Sequence, residues 1–187
     1  MLENDNIRLR PIEPEDLEML YQWENNSLLW EASDTHTPYS RYAIKQYIAN
    51  SKQDIYEDRQ LRLMIVRKST GESAGTVDLF DFDLHNSRVS LGLFVDPSFQ
   101  GNGYAKQALH LIEMYVFDFL KINQLYVHIA CTNVVTLRLF EQGGYEKNGI
   151  LKQWIRLFDN FVDVVVFQQF RRNYLTKTNT DSDISKC

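Results

Sequence analysis

The stretch FVDPSFQGNGYAKQAL, residues 94–109, decides the fold because it joins an apolar strand to an amphipathic helix through a short bend that contains glycine. The strand ends near Asp96, and Gly101 and Gly103 stand just before the helix. Such a bend leaves several backbone N–H groups unpaired at the helix start, where the helix dipole favours negative charge. Glycine lets the main chain approach a ligand closely. The bend therefore predicts a site for a polyanionic group such as a pyrophosphate.

The two glycines could also have a purely structural role, or belong to another phosphate-binding motif. A sharp turn between a strand and a helix needs glycine even when no ligand binds, and for an isolated Gly-x-Gly that is the usual reason. A Rossmann fingerprint is disfavoured because Gly-x-Gly-x-x-Gly is not completed and the preceding strands alternate as in an antiparallel sheet. A Walker loop is excluded because no Gly-Lys-Ser/Thr follows the bend.

Composition limits the classes of protein that this chain could be. A chain of 187 residues that is 44% hydrophobic predicts one domain, which we place at residues 1–172, with residues 173–187 as a polar, disordered tail. No apolar run long enough to span a membrane and no signal peptide is visible, so we expect a cytoplasmic protein without a membrane partner. The net charge of -5 argues against a nucleic-acid partner and favours a cationic one.

Hydrophobic periodicity predicts a chain that alternates between helices and strands. Helices are predicted after Pro14, around residues 44–48, from about 104 to 120 and from about 134 to 142. Three strands form an antiparallel meander, and a further strand and a final hairpin follow. The predicted strands are residues 7–9, 61–67, 73–82, 88–95, 125–130, 150–157 and 162–170.

With these elements in place, the sequence resembles the GNAT acyl-CoA-dependent N-acetyltransferases. The family pattern Gln/Arg-x-x-Gly-x-Gly/Ala is met by Gln100, Gly103 and Ala105, between a strand and a long helix. The segment LFEQGGY, residues 139–145, and the order of elements over residues 5–170 also agree. The resemblance implies an α+β fold with a mixed, mostly antiparallel sheet, a splay between the fourth and fifth strands and about four flanking helices. Within the family, the chain most resembles spermidine/diamine and ribosomal-protein-type enzymes.

The resemblance implies acetyl-CoA as co-substrate and assigns residues to it. The pantetheine arm would hydrogen-bond like an extra strand to the main chain of Leu93, Phe94 and Val95. Asn133 would contact the arm from its other side, and Phe140 would lie near the thioester. The pyrophosphate would rest on the bend, namely Gln100, Gly101, Asn102, Gly103, Tyr104 and Ala105. By analogy with the family, the resemblance also implies a homodimer or larger homo-oligomer.

The chemistry that the resemblance implies is attack of a neutral amine on the thioester carbonyl. An alkylammonium with a pKa of about 10.4 must first lose a proton, which costs roughly 4 to 5 kcal/mol at pH 7, whereas an α-amine near 8 costs only about 1 kcal/mol. Asp78 aligns with an acidic position of the polyamine enzymes and is predicted to bind the amine or to accept its proton through water, although a solvated strand residue is an equal alternative. Trp30, Glu31 and Asp34 lie where the family recognises its acceptor, although an exposed loop without a binding role is the alternative for each of them.

Two departures from the family leave the catalytic groups open. Ser90 stands where many members have a glutamate in the strand before the bend, and Phe140 stands where many have a tyrosine that protonates the departing sulfur.

The four histidines have no spacing that would gather a metal, so no metal is expected and no histidine is assigned chemistry. We therefore expect an N-acetyltransferase that acts on a small cationic amine such as spermidine. A protein α-amine acetyltransferase and a non-catalytic acyl-CoA binder are the alternatives.

Overall fold

The computed structural model describes residues 2–26, 37–52, 54–157 and 159–176. Its strands are β1 (Ile7–Pro11), β2 (Leu61–Arg67), β3 (Ser73–Asp83), β4 (Arg88–Val95), β5 (Gln124–Ala130), β6 (Glu146–Leu157) and β7 (Asn160–Phe170). Its α-helices are α1 (Leu17–Glu24), α2 (Arg41–Asn50), α3 (Ile55–Asp58), α4 (Tyr104–Glu113) and α5 (Val134–Gln142). Short 3-10 turns at Pro14–Asp16 and Pro97–Phe99 precede α1 and the glycine bend.

The seven strands form one sheet in the order β1-β2-β3-β4-β5-β7-β6. All neighbouring strands are antiparallel except β4 and β5, which are parallel and pair only from Arg88 to Ser90 with Gln124 to Tyr126. Beyond these pairs β4 continues to Val95 and β5 to Ala130 without bonding to each other. The predicted mixed sheet with a splay between its fourth and fifth strands is confirmed.

The sheet buries both faces, but to different extents. On one face, the apolar side of α4 packs against β4, with Ala108 and Ile112 beside Val89 and Leu91 in the main core. On the other face, a smaller cluster joins α1 and α2 to the sheet; its members include Leu20, Trp23, Ile44, Ile48, Met64 and Val66. We call this second side the α1–α2 face.

The helix ends follow from ordinary capping. Ser40 caps α2 by accepting a hydrogen bond from Ala43 N, at 3.1 Å. Asp54 caps the single-turn helix α3, which the sequence pattern did not predict. Asn133 caps α5 by accepting from Thr136 N, at 3.1 Å. Each of these caps fixes where its helix begins and so fixes the side chains that follow.

Three segments differ from the predicted boundaries. The predicted helix over 104–120 is α-helical only to Glu113 and then continues as a π-helix, Met114–Phe119, with Leu120 N bonded to Tyr115 O. The hairpin strands begin earlier than expected, at Glu146 and Asn160. Residues 171–176 are helical, although we expected a disordered tail from residue 173.

Tyr174 explains why the domain continues past the predicted boundary. Its ring is 4% exposed and lies 5.0 Å from the ring of Phe117, and its hydroxyl donates to Asp118 at 2.9 Å. Burial of an aromatic ring stabilises the fold when its hydroxyl is hydrogen-bonded, even close to the C-terminal segment. The prediction of disorder from residue 173 is therefore wrong for residues 173–176, while residues 177–187 lie outside the described residues.

Candidate active site

The glycine bend between β4 and α4 is held in shape by its own side chains. Asp96 accepts hydrogen bonds from Ser98 N at 2.8 Å and from the indole nitrogen of Trp23 at 2.7 Å, which ties the bend to α1. The side-chain nitrogen of Asn102 donates to the carbonyl of Phe99 at 2.9 Å. Gly101 and Gly103 have φ angles of +80° and +73°, which residues other than glycine adopt only with strain.

The bend presents a row of unused backbone donors. Among the described residues, the N–H groups of residues 101–106 have no acceptor, and Gln107 N is the first to find one, the carbonyl of Gly103 at 3.1 Å. A Cβ atom built on Gly101 would meet no atom within 4 Å, so the glycine is required by its backbone angle and not by crowding. These open donors at the start of a ten-residue helix fit a diphosphate, as the sequence pattern predicts.

The edge of β4 that faces β5 is open at the level of the bend. Asp96 N donates to Ala74 O of β3, and because strand main chains alternate in direction, Leu93 and Val95 point their N–H and C=O groups away from β3 toward the splay. In contrast, the carbonyl of Phe94 points at Gly75 of β3. An added extended chain could therefore pair with Leu93 and Val95, whereas Phe94 contributes its ring, 5.2 Å from that of Trp23.

Asn133 and Phe140, the residues at the α5 side that the resemblance assigns to the cofactor, differ in accessibility. Asn133 uses its side-chain oxygen for the helix cap, and its amide N–H groups remain as donors. Phe140 is 1% exposed and packs edge-to-face on Tyr145, with ring centroids 4.9 Å apart. Phe140 is therefore part of the core. Burial and the charge of Glu113 raise the pKa of Tyr145 well above its usual value, so its hydroxyl stays protonated.

Asp78 lies in a charged cluster on the α1–α2 face. Arg62 donates from Nε to Asp78 at 2.5 Å and from Nη1 to Glu24 at 2.6 Å, and its guanidinium lies 5.6 Å from the centre of the Tyr47 ring. Thr76 donates to the second carboxylate oxygen of Asp78 at 3.1 Å. With two carboxylates and one guanidinium, the cluster carries a net charge of about -1 at neutral pH.

Arg62 is a permanent cation in this cluster. Burial alone would lower its pKa, but the negative charges of Asp78 and Glu24 outweigh that effect and raise the pKa above its ordinary value. Asp78 is thus already engaged on both oxygens, by Arg62 and by Thr76. Because both oxygens already accept hydrogen bonds, Asp78 is better suited to hold a cation than to accept a proton.

Ser90 and its neighbours form the floor of the splay. Ser90 is fully buried and is in register with Phe80 of β3 and Tyr126 of β5. Two residues after Tyr126, His128 lies with its ring 5.6 Å from the Tyr126 ring, in edge-to-face contact. The sequence alone did not indicate a role for His128, because no local pattern gives the register of β5 against β4.

The predicted acceptor residues Trp30, Glu31 and Asp34 lie outside the described residues. The flanks of their segment meet beside α1, where the side chain of Asn25 bonds both to Tyr39 N at 2.9 Å and to Tyr39 O at 3.0 Å. Within the described ranges, no His, Cys, Asp and Glu side chains gather as a metal site, and no helix is long and apolar enough to cross a membrane.

Comparisons with known proteins agree with this geometry. The family described as "Acetyltransferase (GNAT) domain" matches residues 6–146. The spermidine N(1)-acetyltransferase of Escherichia coli K12 is 25% identical over 179 residues, which cover 94% of this chain and 91% of that protein. The uncharacterized N-acetyltransferase p20 of Bacillus licheniformis is 24% identical over 174 residues, which cover 92% of this chain and 97% of that protein.

Solved structures show the same fold. The crystal structure of spermidine N-acetyltransferase from Vibrio cholerae in complex with CoA and spermine superimposes with a TM-score of 0.83 at 21% identity, and the match covers 92% of this chain and 99% of that one. The family match spans most of the sheet and both helices that border the splay, and the chain is therefore an N-acetyltransferase that belongs to the GNAT family of acetyltransferases.

Proposed function

We propose that this protein transfers the acetyl group of acetyl-CoA to a primary amine of a polyamine or diamine such as spermidine. The observation that carries the proposal is the pair of carboxylates, Glu24 and Asp78, around Arg62 on the α1–α2 face. Because Asp78 is in register with Gly92 of β4, this cluster adjoins the strand whose edge is open to the cofactor. The named relatives that act on spermidine support the same substrate class.

The charges of the cluster favour a cationic acceptor. The net charge near -1 attracts an alkylammonium, and Tyr47 adds an aromatic face beside it. A protein N-terminus carries only one such charge and brings a peptide chain with it, whereas a polyamine carries several ammonium groups that the acidic chain, with its net charge of -5, can attract.

On the cofactor side, we propose that acetyl-CoA lies between β4 and β5. The diphosphate would accept from the open N–H groups of residues 101–106, and the pantetheine arm would pair with the main chain of Leu93 and Val95. Asn133 would donate to the arm from the α5 side. The thioester would then lie at the splay, near Gly92, the β4 residue that is in register with Asp78.

The acceptor can be tested by thiol release from acetyl-CoA. The panel consists of spermidine, spermine, a diamine and a short peptide with a free N-terminus, each over a range of concentrations at one pH. We expect kcat/KM for spermidine to exceed that for the peptide at least tenfold. The reverse order would make a protein α-amine the acceptor, and binding of CoA without turnover on any amine would favour the non-catalytic alternative.

We also propose that the protein assembles with copies of itself. The strand β6 is at the sheet edge, and the β6–β7 hairpin exposes Ile150, Trp154 and Phe161 at 45%, 61% and 61% of their surface. Exposed apolar side chains along an unpaired strand edge are typical of an interface between subunits. The spermidine N-acetyltransferase of Vibrio cholerae has a dodecameric structure, which supports this proposal.

A further inference from the structure

His128 shares the α1–α2 face with Asp78, on the opposite side of the splay. Ser90 and Tyr126 are the last paired residues of the parallel strands β4 and β5. Side chains alternate along both strands, so two residues further, positions 92 and 128 belong to the face that Ser90 and Tyr126 occupy. Asp78 is in register with Gly92 on the other side. Asp78, Gly92 and His128 thus form a row across three strands.

The Phe80 ring and the Asp78 side chain lie beside Gly92, in the middle of this row. A Cβ atom built on Gly92 would lie 3.3 Å from the Phe80 ring and 3.4 Å from Cβ of Asp78. A larger side chain at this position would therefore press against the Phe80 ring and Asp78. Neighbouring strands are about 4.8 Å apart, so the Cα atoms of Asp78 and His128 are at least roughly 10 Å apart across the splay. At that separation, the acceptor amine would have to bridge the two side chains, with or without one water molecule.

The surroundings of His128 keep its imidazole available as a base. The side chain is exposed, so a proton can leave from it to solvent. Partial burial lowers its pKa below the ordinary value of 6.5, and the charge of Asp81 from β3 opposes this only in part. The ring also contacts Tyr126, and on the β7 side its partner in register is the uncharged Val166. At pH 7 the imidazole is therefore mostly neutral and has a free lone pair.

We propose that His128 is the general base of acetyl transfer, in place of the carboxylate that Ser90 does not supply. The acceptor binds as an ammonium, and His128 removes one proton from it, directly or through one water molecule. The freed amine forms the C–N bond at the thioester carbonyl as the C–S bond breaks. The second proton on nitrogen is lost as the amide forms. Of the two protons, one ends on the CoA thiolate and the other in solvent, so the reaction balances.

The two remaining histidines in the described part of the chain have no such placement. His85 lies exposed in the turn between β3 and β4, and His110 lies exposed on the outer side of α4. Neither is on the α1–α2 face of the sheet. They serve as matched controls, because each can lose its imidazole without altering the row of Asp78, Gly92 and His128.

The test compares His128→Gln with His85→Gln and His110→Gln across pH 5 to 9 for spermidine and for a simple monoamine. For the wild type, we expect kcat/KM to fall as the pH drops through the lowered pKa of His128. In His128→Gln, kcat should drop about 100-fold on every amine, which is the scale of general base catalysis, and the acidic limb of the profile should disappear. Both control variants should keep the wild-type profile.

Two measurements separate catalysis from damage to the fold. CoA affinity by calorimetry and Tm should be unchanged in His128→Gln, and added imidazole should partly restore the rate of a His128→Ala variant. In the free enzyme, NMR titration should place the His128 imidazole pKa below 6.5. A wild-type pH profile in His128→Gln, or a loss of rate that imidazole cannot restore in a folded variant, would overturn the proposal.

This assignment rests on the proposed acetyl transfer but does not depend on which amine is acetylated. If the peptide proves a better acceptor than spermidine, the polyamine proposal fails, yet the loss of rate in His128→Gln on every active amine still supports the base. If spermidine is preferred and His128→Gln acts like wild type, the base is wrong and the acceptor stands.

Discussion

The carbonyl oxygen of Phe94 lies so close to Gly75 that a Cβ atom on Gly75 would overlap it. Two strands approach this closely because β3 carries no side chain at that point, and the end of β4 that borders the splay is set by the contact. Since Leu93 and Val95 flank Phe94, the residue at position 75 controls the edge proposed to bind the pantetheine arm.

We expect Gly75→Ala to displace the end of β4. Overpacking of this kind costs about 1 to 3 kcal/mol of unfolding free energy, and CoA affinity should fall with it. The matched control is Gly149→Ala in β6, where a Cβ atom would meet nothing within 4 Å. Thermal melts and calorimetric titration with CoA report the two effects. Equal affinities in both variants would show that the β4 edge does not contact the cofactor.

A substitution at Gly101 tests whether the bend binds the diphosphate, provided that the effect of backbone strain is measured separately. Gly101→Ala forces a side chain into a φ of +80°, which costs about 1 to 2 kcal/mol. Gly71 in the turn between β2 and β3 has a φ of +77° and equal free space, so Gly71→Ala should cost the same stability. Only Gly101→Ala should also weaken CoA binding, measured by calorimetry. A matching loss in Gly71→Ala would mean that the effect is not local to the bend.

Asp78 is predicted to bind the acceptor amine. Asp78→Asn removes one charge-assisted contact, worth about 1.5 to 3 kcal/mol, so KM for spermidine should rise about 10- to 100-fold. KM for acetyl-CoA should not change. Asp83→Asn is the control, because Asp83 is at the end of the same strand and bonds only Asn86 and Arg88 among the described residues. Unchanged kinetics in Asp78→Asn would remove Asp78 from the amine site.

The lowered pKa of Asp96 predicts how the stability of the fold depends on pH. Burial alone would raise its pKa, but hydrogen bonds from Ser98 and the Trp23 indole outweigh it and lower the pKa. A carboxylate with a lowered folded-state pKa stabilises above its unfolded pKa of about 3.9 and loses that stabilisation as pH falls through the folded value. The Tm advantage of wild type over Asp96→Asn should therefore shrink below about pH 4. A constant difference from pH 3 to 7 would contradict this linkage.

Trp154 tests the proposed interface between copies. Because Trp154 is 61% exposed, Trp154→Lys should leave the fold of the subunit intact while it places a charge in the interface. Analytical ultracentrifugation should show a smaller assembly for the variant than for the wild type. Lys45→Glu, a charge change on α2 away from the hairpin, is the control. If Trp154→Lys sediments like wild type, the β6–β7 hairpin is not the contact.

Local patterns allowed much of the fold to be predicted from sequence. The strands β2 and β4 and the helix α5 have the predicted bounds, because alternation, helical spacing and the Asn133 cap are all short-range signals. The π-helix Met114–Phe119 and the buried Tyr174 were missed. Both depend on packing between the end of the long helix and the C-terminal segment, which no local pattern records.

The sequence alone determined the glycine bend, because residues 100–105 combine a strand end, two glycines and a helix start within a few residues, and backbone sterics then dictate where the N–H groups point. Only the tertiary structure decided which residues form the proposed site for the acceptor amine. The pairing of Arg62 with Asp78 and Glu24, and the row from Asp78 to His128, join residues far apart in the chain through strand register. Register is fixed by burial of the whole sheet, so a chemical site that spans several strands exists only once the sheet has formed.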